Sequence, residues 1–290
     1  MPTHRVLVTG ANGQLAHHVV HAFAGHAVTA LDRKQLDLTD PDAVRRVLKQ
    51  ARPTLIVNCA AFNNVDGAED QPLEALAVNA FAVRSLARAA QAADATLVHY
   101  STDFVFDGAA GTPYQETDPP APQSTYAASK LLGEWFAMDA PRALVLRVES
   151  LFGSPPGWTG RRGTMDAIVD GIRAGREVPV LTDRVVSPSY SPDVAAATRH
   201  LVELDGPSGV YHCVNSGHAT WETVALEIAR QLGVEPRLKR LTTGQLTLRA
   251  ARPRYCALAT TKLLARGFVM PAWQDALARW LAYTMERSHG

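Results

Sequence analysis

Arg5-Val6-Leu7-Val8-Thr9-Gly10-Ala11-Asn12-Gly13-Gln14-Leu15-Ala16 decides the fold of this chain. Arg5 to Thr9 is a short apolar run and reads as a buried strand. It leads directly into Gly-x-x-Gly-x-x-Ala and then into an apolar-spaced helix from Leu15 to about Ala24. Gly10 would permit the tight turn, Gly13 would let a pyrophosphate approach the backbone, and Ala16 is small enough for close helix packing. The backbone around Asn12, Gln14 and Leu15, at the positive end of the helix, would face the phosphates. An ordinary glycine-rich strand–helix turn has the same letters, so this stretch alone divides evenly between the two readings.

The following strand moves the balance. Ala27-Val28-Thr29-Ala30-Leu31-Asp32 ends on an acid about 20 residues beyond the glycines, where a carboxylate hydrogen-bonds an adenosine ribose. Arg33 and Lys34 come next. An arginine here can hold a 2′-phosphate that Asp32 would resist, and it reads equally well as a solvated loop charge. Both cofactors stay open, with NADP(H) placed ahead of NAD(H). Asp37, beside Leu38, either faces an adenine ring or solvates a turn. Leu55-Ile56-Val57-Asn58 is a buried strand whose small tip, Cys59-Ala60-Ala61, leaves room for a ligand backbone.

A second stretch carries the chemistry. Ala95 to Tyr100 is apolar and β-rich, so Ser101 and Thr102 would sit at a strand's C-terminal tip, the edge where open parallel sheets bind ligands. Tyr126 and Lys130 lie four apart on a segment of good helix formers, hence on one helix face. A hydroxyl, a phenol and an ammonium would then converge on one crevice, a set able to move a proton to or from a carbonyl oxygen. Taken singly, each is a common surface pair or strand-end hydroxyl.

Composition excludes several alternatives. The chain has 290 residues and a formal net charge of +1, which argues for no nucleic-acid or anionic-membrane partner. Its apolar runs are strand-sized, and its start is too soon interrupted for a signal peptide. Three scattered cysteines, Cys59, Cys213 and Cys256, fit reduced thiols, so no disulfide framework and no metal site are expected and a cytoplasmic location is. Further along, Glu69 to Ala93 reads as a long helical region in which Asn79, interrupting the apolar pattern, either ties two elements together or lies on the surface. Phe106 to Thr125 reads as a long loop, of a length that suggests a functional lid or a substrate loop, and 152–162 as a boundary rich in Gly, Pro and Ser. The strand–helix alternation to residue 150 predicts a Rossmann-type doubly wound parallel sheet with a smaller, mixed C-terminal region. The expected division is 1–153, with 192–215 returning to it, for the dinucleotide; 154–191 and 216–290 would bind substrate.

Several motifs coincide in order. They are Gly10 to Leu15, Val57 to Ala61, Val65-Asp66-Gly67-Ala68-Glu69, Tyr100 to Gly108, Pro113 to Asp118, and Tyr126 with Lys130; later come Asp183, Tyr211-His212, Gly217 with Trp221, and Arg252-Pro253. With these the chain resembles the dTDP-4-dehydrorhamnose reductase family of extended short-chain dehydrogenases/reductases, strongly over residues 5–130 and weakly after 150. The resemblance implies NAD(P)H-dependent reduction of a keto group on a nucleotide-activated sugar, in dTDP-rhamnose biosynthesis. Tyr126 would protonate the carbonyl oxygen. Lys130 would lower the tyrosine pKa and hold the nicotinamide ribose, and Thr102 would align the oxygen. Asp103 would contact the sugar, with Phe104, Glu149, Leu151 and Arg252 around it; a homodimer is compatible.

The departures fall mostly on the substrate side. The family's Arg-Thr-Ser-Trp is replaced by Arg147-Val148-Glu149-Ser150-Leu151, with Leu151 read as standing for the tryptophan. Arg-Pro-x-x-Ser becomes Arg252-Pro253-Arg254-Tyr255-Cys256. Two alternatives share the superfamily. A nucleotide-sugar epimerase or dehydratase is disfavoured because Asp103-Phe104 lacks the dehydratases' second carboxylate. A non-catalytic subunit resembling the regulatory subunit of methionine adenosyltransferase is disfavoured by intact Thr102, Tyr126 and Lys130.

Overall fold

The structure, a computed structural model, describes residues 3–155, 158–160 and 162–286. The expected boundary at 152–162 falls in part on Pro156, Gly157 and Arg161, outside the described residues, as do Met1, Pro2 and 287–290 of the expected division. The first half alternates strand and helix: β1 (Arg5–Thr9), α1 (Gln14–Ala22), β2 (Ala27–Leu31), α2 (Pro41–Ala51) and β3 (Leu55–Asn58). Then come α3 (Val65–Asp70), α4 (Pro72–Leu76), a π-helical turn (Ala77–Phe81), α5 (Ala82–Ala93), β4 (Thr96–Thr102), α6 (Thr125–Ala137) and β5 (Ala143–Val148). The second half holds β6 (Leu151–Phe152), α7 (Thr164–Arg173), β7 (Glu177–Leu181), β8 (Val185–Val186), β9 (Ser189–Tyr190), α8 (Ser191–Glu203) and β10 (Gly209–His212). It closes with β11 (Ala219–Thr220), α9 (Trp221–Leu232), β12 (Arg237–Leu241), α10 (Thr261–Leu264) and α11 (Trp273–Glu286).

Six strands form one parallel sheet in the order β10-β5-β4-β3-β1-β2, the expected doubly wound α/β class. Every residue of β3 and β5 is buried, as a parallel sheet covered on both faces requires. Alternation along β1 sorts the two faces: Val6 and Val8 pack with α1 and α8, while Leu7 packs with α2 and α5. The chain runs outward from β1 to β2 on one side and to β3 on the other, so the reversal of strand order falls beside β1. β10 returns to the sheet's edge beside β5, and a separate core of Phe152, Met165, Tyr190, Trp221, Ile228 and Trp280 organises the second half. There the small sheets are mixed: β7 with β12 and β6 with β9 run parallel, β8 with β11 antiparallel.

Two expectations change. The helical region expected from Glu69 to Ala93 begins earlier, at Val65, and is broken into α3, α4, the π turn and α5, with Pro72 opening α4. The segment expected as a lid is fastened down. Tyr114 stacks on Phe106 with ring centroids 4.2 Å apart, its hydroxyl reaches Asp107, Ala109 and Ala110, and its amide donates to the Ala257 carbonyl.

Candidate active site

Four contacts fix the helix that carries Tyr126 and Lys130. Ser124 caps α6 by accepting from the Ala127 amide, and the Glu69 carboxylate accepts from both the amide and the hydroxyl of Thr125 at 2.8 Å. One turn on, the Ser129 hydroxyl donates to the Tyr126 carbonyl and accepts from the Asn79 amide. Asn79 also exchanges hydrogen bonds with both backbone groups of Phe62. It is therefore the buried tie between elements rather than a surface residue. Finally, a Cβ on Gly133 would come 2.1 Å from the Asn79 carbonyl oxygen, so only glycine lets α6 lie this close to the π turn.

Lys130 is buried, and its ammonium donates to the Tyr100 carbonyl of β4 at 2.6 Å. Burial lowers its pKa to about 8, against a raising influence of Glu134 one turn further on. Glu134 in turn is held by Arg147 of β5 through two hydrogen bonds of 2.7 and 2.8 Å, with both side chains buried. Thr102, at the tip of β4, sits beside the Tyr126 phenol. Enclosure by protein pushes that phenol up to about 12, with the Thr102 hydroxyl pulling it down and Asp103 pushing it further up. The lowering by Lys130 expected from the resemblance is not among the influences on the phenol here, where the ammonium points to the Tyr100 carbonyl and enclosure dominates. The ring of Phe104 meets Tyr126 edge-to-face at 5.8 Å.

A buried polar cluster lies behind Thr102. Its hydroxyl bonds Asp103 Oδ1 at 2.9 Å. Ligand atoms of Asp103, Glu149 and Cys256 all lie within 4.8 Å of one another. Glu149 Oε2 accepts from the Ser187 amide, and the Arg184 guanidinium lies over the Phe104 ring and reaches the Cys256 sulfur. Burial raises both carboxyls, Glu149 well above its ordinary value.

The glycine turn forms a cradle at the tips of β1 and β3. Gly10 has φ +70°, and a Cβ there would come 2.7 Å from the Ala60 amide. Only glycine therefore leaves the strand tips open for a pyrophosphate. Beneath the cradle Thr9 donates to Asn58, which also accepts from the Ala60 amide and bonds His99. Asn12 donates to Asp32 at 3.0 Å, joining the turn to the end of β2. The Asp32 carboxylate is held below its ordinary range by the Gln35 amide, then by Asn12 and Lys34. These residues fit a dinucleotide: a backbone cradle for phosphates and a carboxylate for a ribose.

Other predicted residues lie elsewhere or have different tasks. Arg33 is exposed and pairs with Glu74. The Asp37 carboxylate accepts from the Thr39 amide and hydroxyl, so it holds its own turn. Leu15 and Leu38 bury their side chains in the two sheet cores, leaving only backbone for a ligand. Gln14 bonds Ser191 and Ser154, while Cys59, Ala60 and Ala61 form the β3 tip. Arg252 pairs with Asp66 at 2.9 Å and lies 5.9 Å from the Phe104 ring centroid, on the rim of the cleft. Leu151 is corrected: its side chain packs on the central core, and the fourth residue counted from Arg147 is Ser150, at φ +42°. Arg184 was missed, since a lone arginine between short apolar runs has no spacing signal.

Fold and site together place the chain among Rossmann-fold oxidoreductases of the extended short-chain dehydrogenase/reductase class. Within that class it belongs to the RmlD substrate binding domain family, whose model matches residues 4–285. It is similar to the dTDP-4-dehydrorhamnose reductase of Streptomyces griseus, 37% identical over 287 residues, covering 95% of this chain and 92% of that protein. A probable dTDP-4,6-dihydroxy-2-methyloxan-3-one 4-ketoreductase of Streptomyces antibioticus is 38% identical over 279 residues, covering 94% and 93%. Among solved structures, the dTDP-4-dehydrorhamnose reductase of Bacillus anthracis in complex with NADP superposes with a TM-score of 0.91 at 30% identity, covering 97% of this chain and 99% of that one.

Proposed function

We propose that this protein reduces the keto group of a nucleotide-activated sugar, as a dTDP-4-dehydrorhamnose reductase, with NADP(H) or NAD(H) as the hydride source. The observation that carries the reading is the Tyr126 phenol against Thr102, one helical turn from Lys130, at the sheet edge that holds the glycine cradle. When bound, the cofactor supplies a hydride. The chain's own residues do the rest. Backbone from Gly10 to Leu15 receives the pyrophosphate, Asp32 a ribose hydroxyl, and Lys130 the other ribose. Tyr126, protonated at neutral pH, gives its proton to the carbonyl oxygen that Thr102 aligns. Phe104 and Arg252 border the sugar, and Asp103 and Glu149 lie buried behind Thr102.

The domain division proposed is 1–153 with 192–215 for the cofactor and 154–191 with 216–290 for the sugar nucleotide. Two cores follow it in outline, the sheet core also taking in Leu263 and Met270 from the second region and the other core Phe152 from the first. No described helix is long and apolar enough to cross a membrane. Three unpaired cysteines support the cytoplasm as the proposed location. A homodimer is proposed through Phe81, Trp135 and Met138, exposed apolar side chains on the π turn, on α6 and at its C-terminal cap.

The test is oxidation of NADPH in the presence of dTDP-4-dehydrorhamnose, followed by absorbance. Wild-type protein should turn over, and Tyr126→Phe should lose activity while still binding NADPH. Cofactor binding with no turnover by the wild type on any dTDP-keto sugar would overturn the reading in favour of a regulatory subunit.

A further inference from the structure

Asp103 Oδ2, Glu149 Oε1 and Arg184 Nε are buried without a hydrogen-bond partner in the cluster behind Thr102. The groups facing the two carboxyls are Thr102 and Tyr126 on one side, the Ser187 amide and Arg184 on another, and Cys256 on a third. The neighbouring cations are engaged: Arg252 with Asp66, Arg147 with Glu134, Lys130 with the Tyr100 carbonyl. Arg184 thus leaves one positive charge for two buried carboxyls. A second buried carboxylate would be uncompensated, so one proton stays with the pair. The unpartnered oxygens hold it at rest, and Asp103, which also faces Thr102 through Oδ1, is the member that passes it on.

We propose that Asp103 and Glu149 store one proton and return it through the Thr102 hydroxyl to Tyr126 in each reductive turnover. This rests on the reductase reading. The hydride of the reduced nicotinamide adds to the carbonyl carbon, and the C=O π pair moves to oxygen, which takes the Tyr126 proton. The Thr102 O–H, which at rest donates to Asp103 Oδ1, turns to the tyrosinate and gives up its proton while its oxygen takes one from the Asp103 carboxyl, since a hydroxyl both donates and accepts. The pair regains a proton from water as product leaves. One hydride and one proton are consumed.

The test uses Glu149→Gln, which keeps the shape and removes an acid. The infrared spectrum of wild-type protein at pH 7 should show the carbonyl stretch of a protonated carboxylic acid, absent from the variant. With dTDP-4-dehydrorhamnose and NADPH, kcat should fall about 10²-fold, with KM nearly unchanged and imidazole restoring part of the rate. The wild-type proton inventory in mixed H2O and D2O should be curved, as for several protons in flight. An unchanged kcat, or a raised KM at constant kcat, would overturn the relay. Should the variant not fold, the wild type still decides: a missing band or a linear inventory overturns the proposal. Absence of wild-type NADPH oxidation sinks the reductase reading instead.

Discussion

Lys130 shows how a single buried side chain ties stability to chemistry. Its ammonium titrates near 8 rather than at the ordinary 10.5. Below pH 8 both folded and unfolded chains hold the proton, and the folded one bears the full penalty of burying the charge. Between 8 and 10.5 the unfolded chain binds more protons, so stability rises with pH. Wild type should therefore gain about 3 kcal/mol relative to Lys130→Met across that interval, measured by urea denaturation. A flat difference would mean the amine titrates normally. At the other end of the cleft, Asp32→Ala should weaken NADH more than NADPH in fluorescence titrations, because the carboxylate favours a ribose hydroxyl and opposes a 2′-phosphate; equal loss would remove it from the ribose. Both residues were legible in the sequence, because spacing along one strand or helix sets where they point. Arg184 and the partnering of Asp103 with Glu149 were not, since they depend on chain segments about 35 to 80 residues apart meeting in space.

At the scale of elements, α6 is placed by what lies under it. Gly133→Ala would drive a methyl into the Asn79 carbonyl, shifting Tyr126 and Lys130 together. It should cost about 1–3 kcal/mol and lower kcat in parallel, checked by denaturant midpoint and initial rates. The Glu134–Arg147 pair joins α6 to β5 inside the protein. Arg147→Met leaves a buried carboxylate alone and should cost about 3–5 kcal/mol, most of it recovered in Arg147→Met with Glu134→Gln, as expected of buried ion pairs. Under α6, sequence periodicity found the helical region of Glu69 to Ala93 but placed its start four residues late and missed the breaks. A π turn inserts one residue per turn to bury Asn79, and Pro72 ends one helix by starting another; neither alters the apolar spacing enough to be read beforehand.

In the whole molecule each face of the parallel sheet and the second half has a core of its own, and the outer face of α6 leaves apolar side chains uncovered. Trp135 is 61% exposed and Phe81 49%, an apolar patch of the kind that marks association sites. Trp135→Glu should shift the protein from dimer to monomer in light scattering coupled to size exclusion; an unchanged mass would place any dimer elsewhere. The amino-acid sequence by itself determined the parallel sheet, the glycine cradle and the tyrosine–lysine face, because each follows from short-range spacing on a regular element. Tertiary structure alone decided which carboxyls share an enclosed space, which arginine balances them, and that the supposed lid is pinned. Those outcomes are set by burial and charge pairing between distant segments, and neither is written in local periodicity.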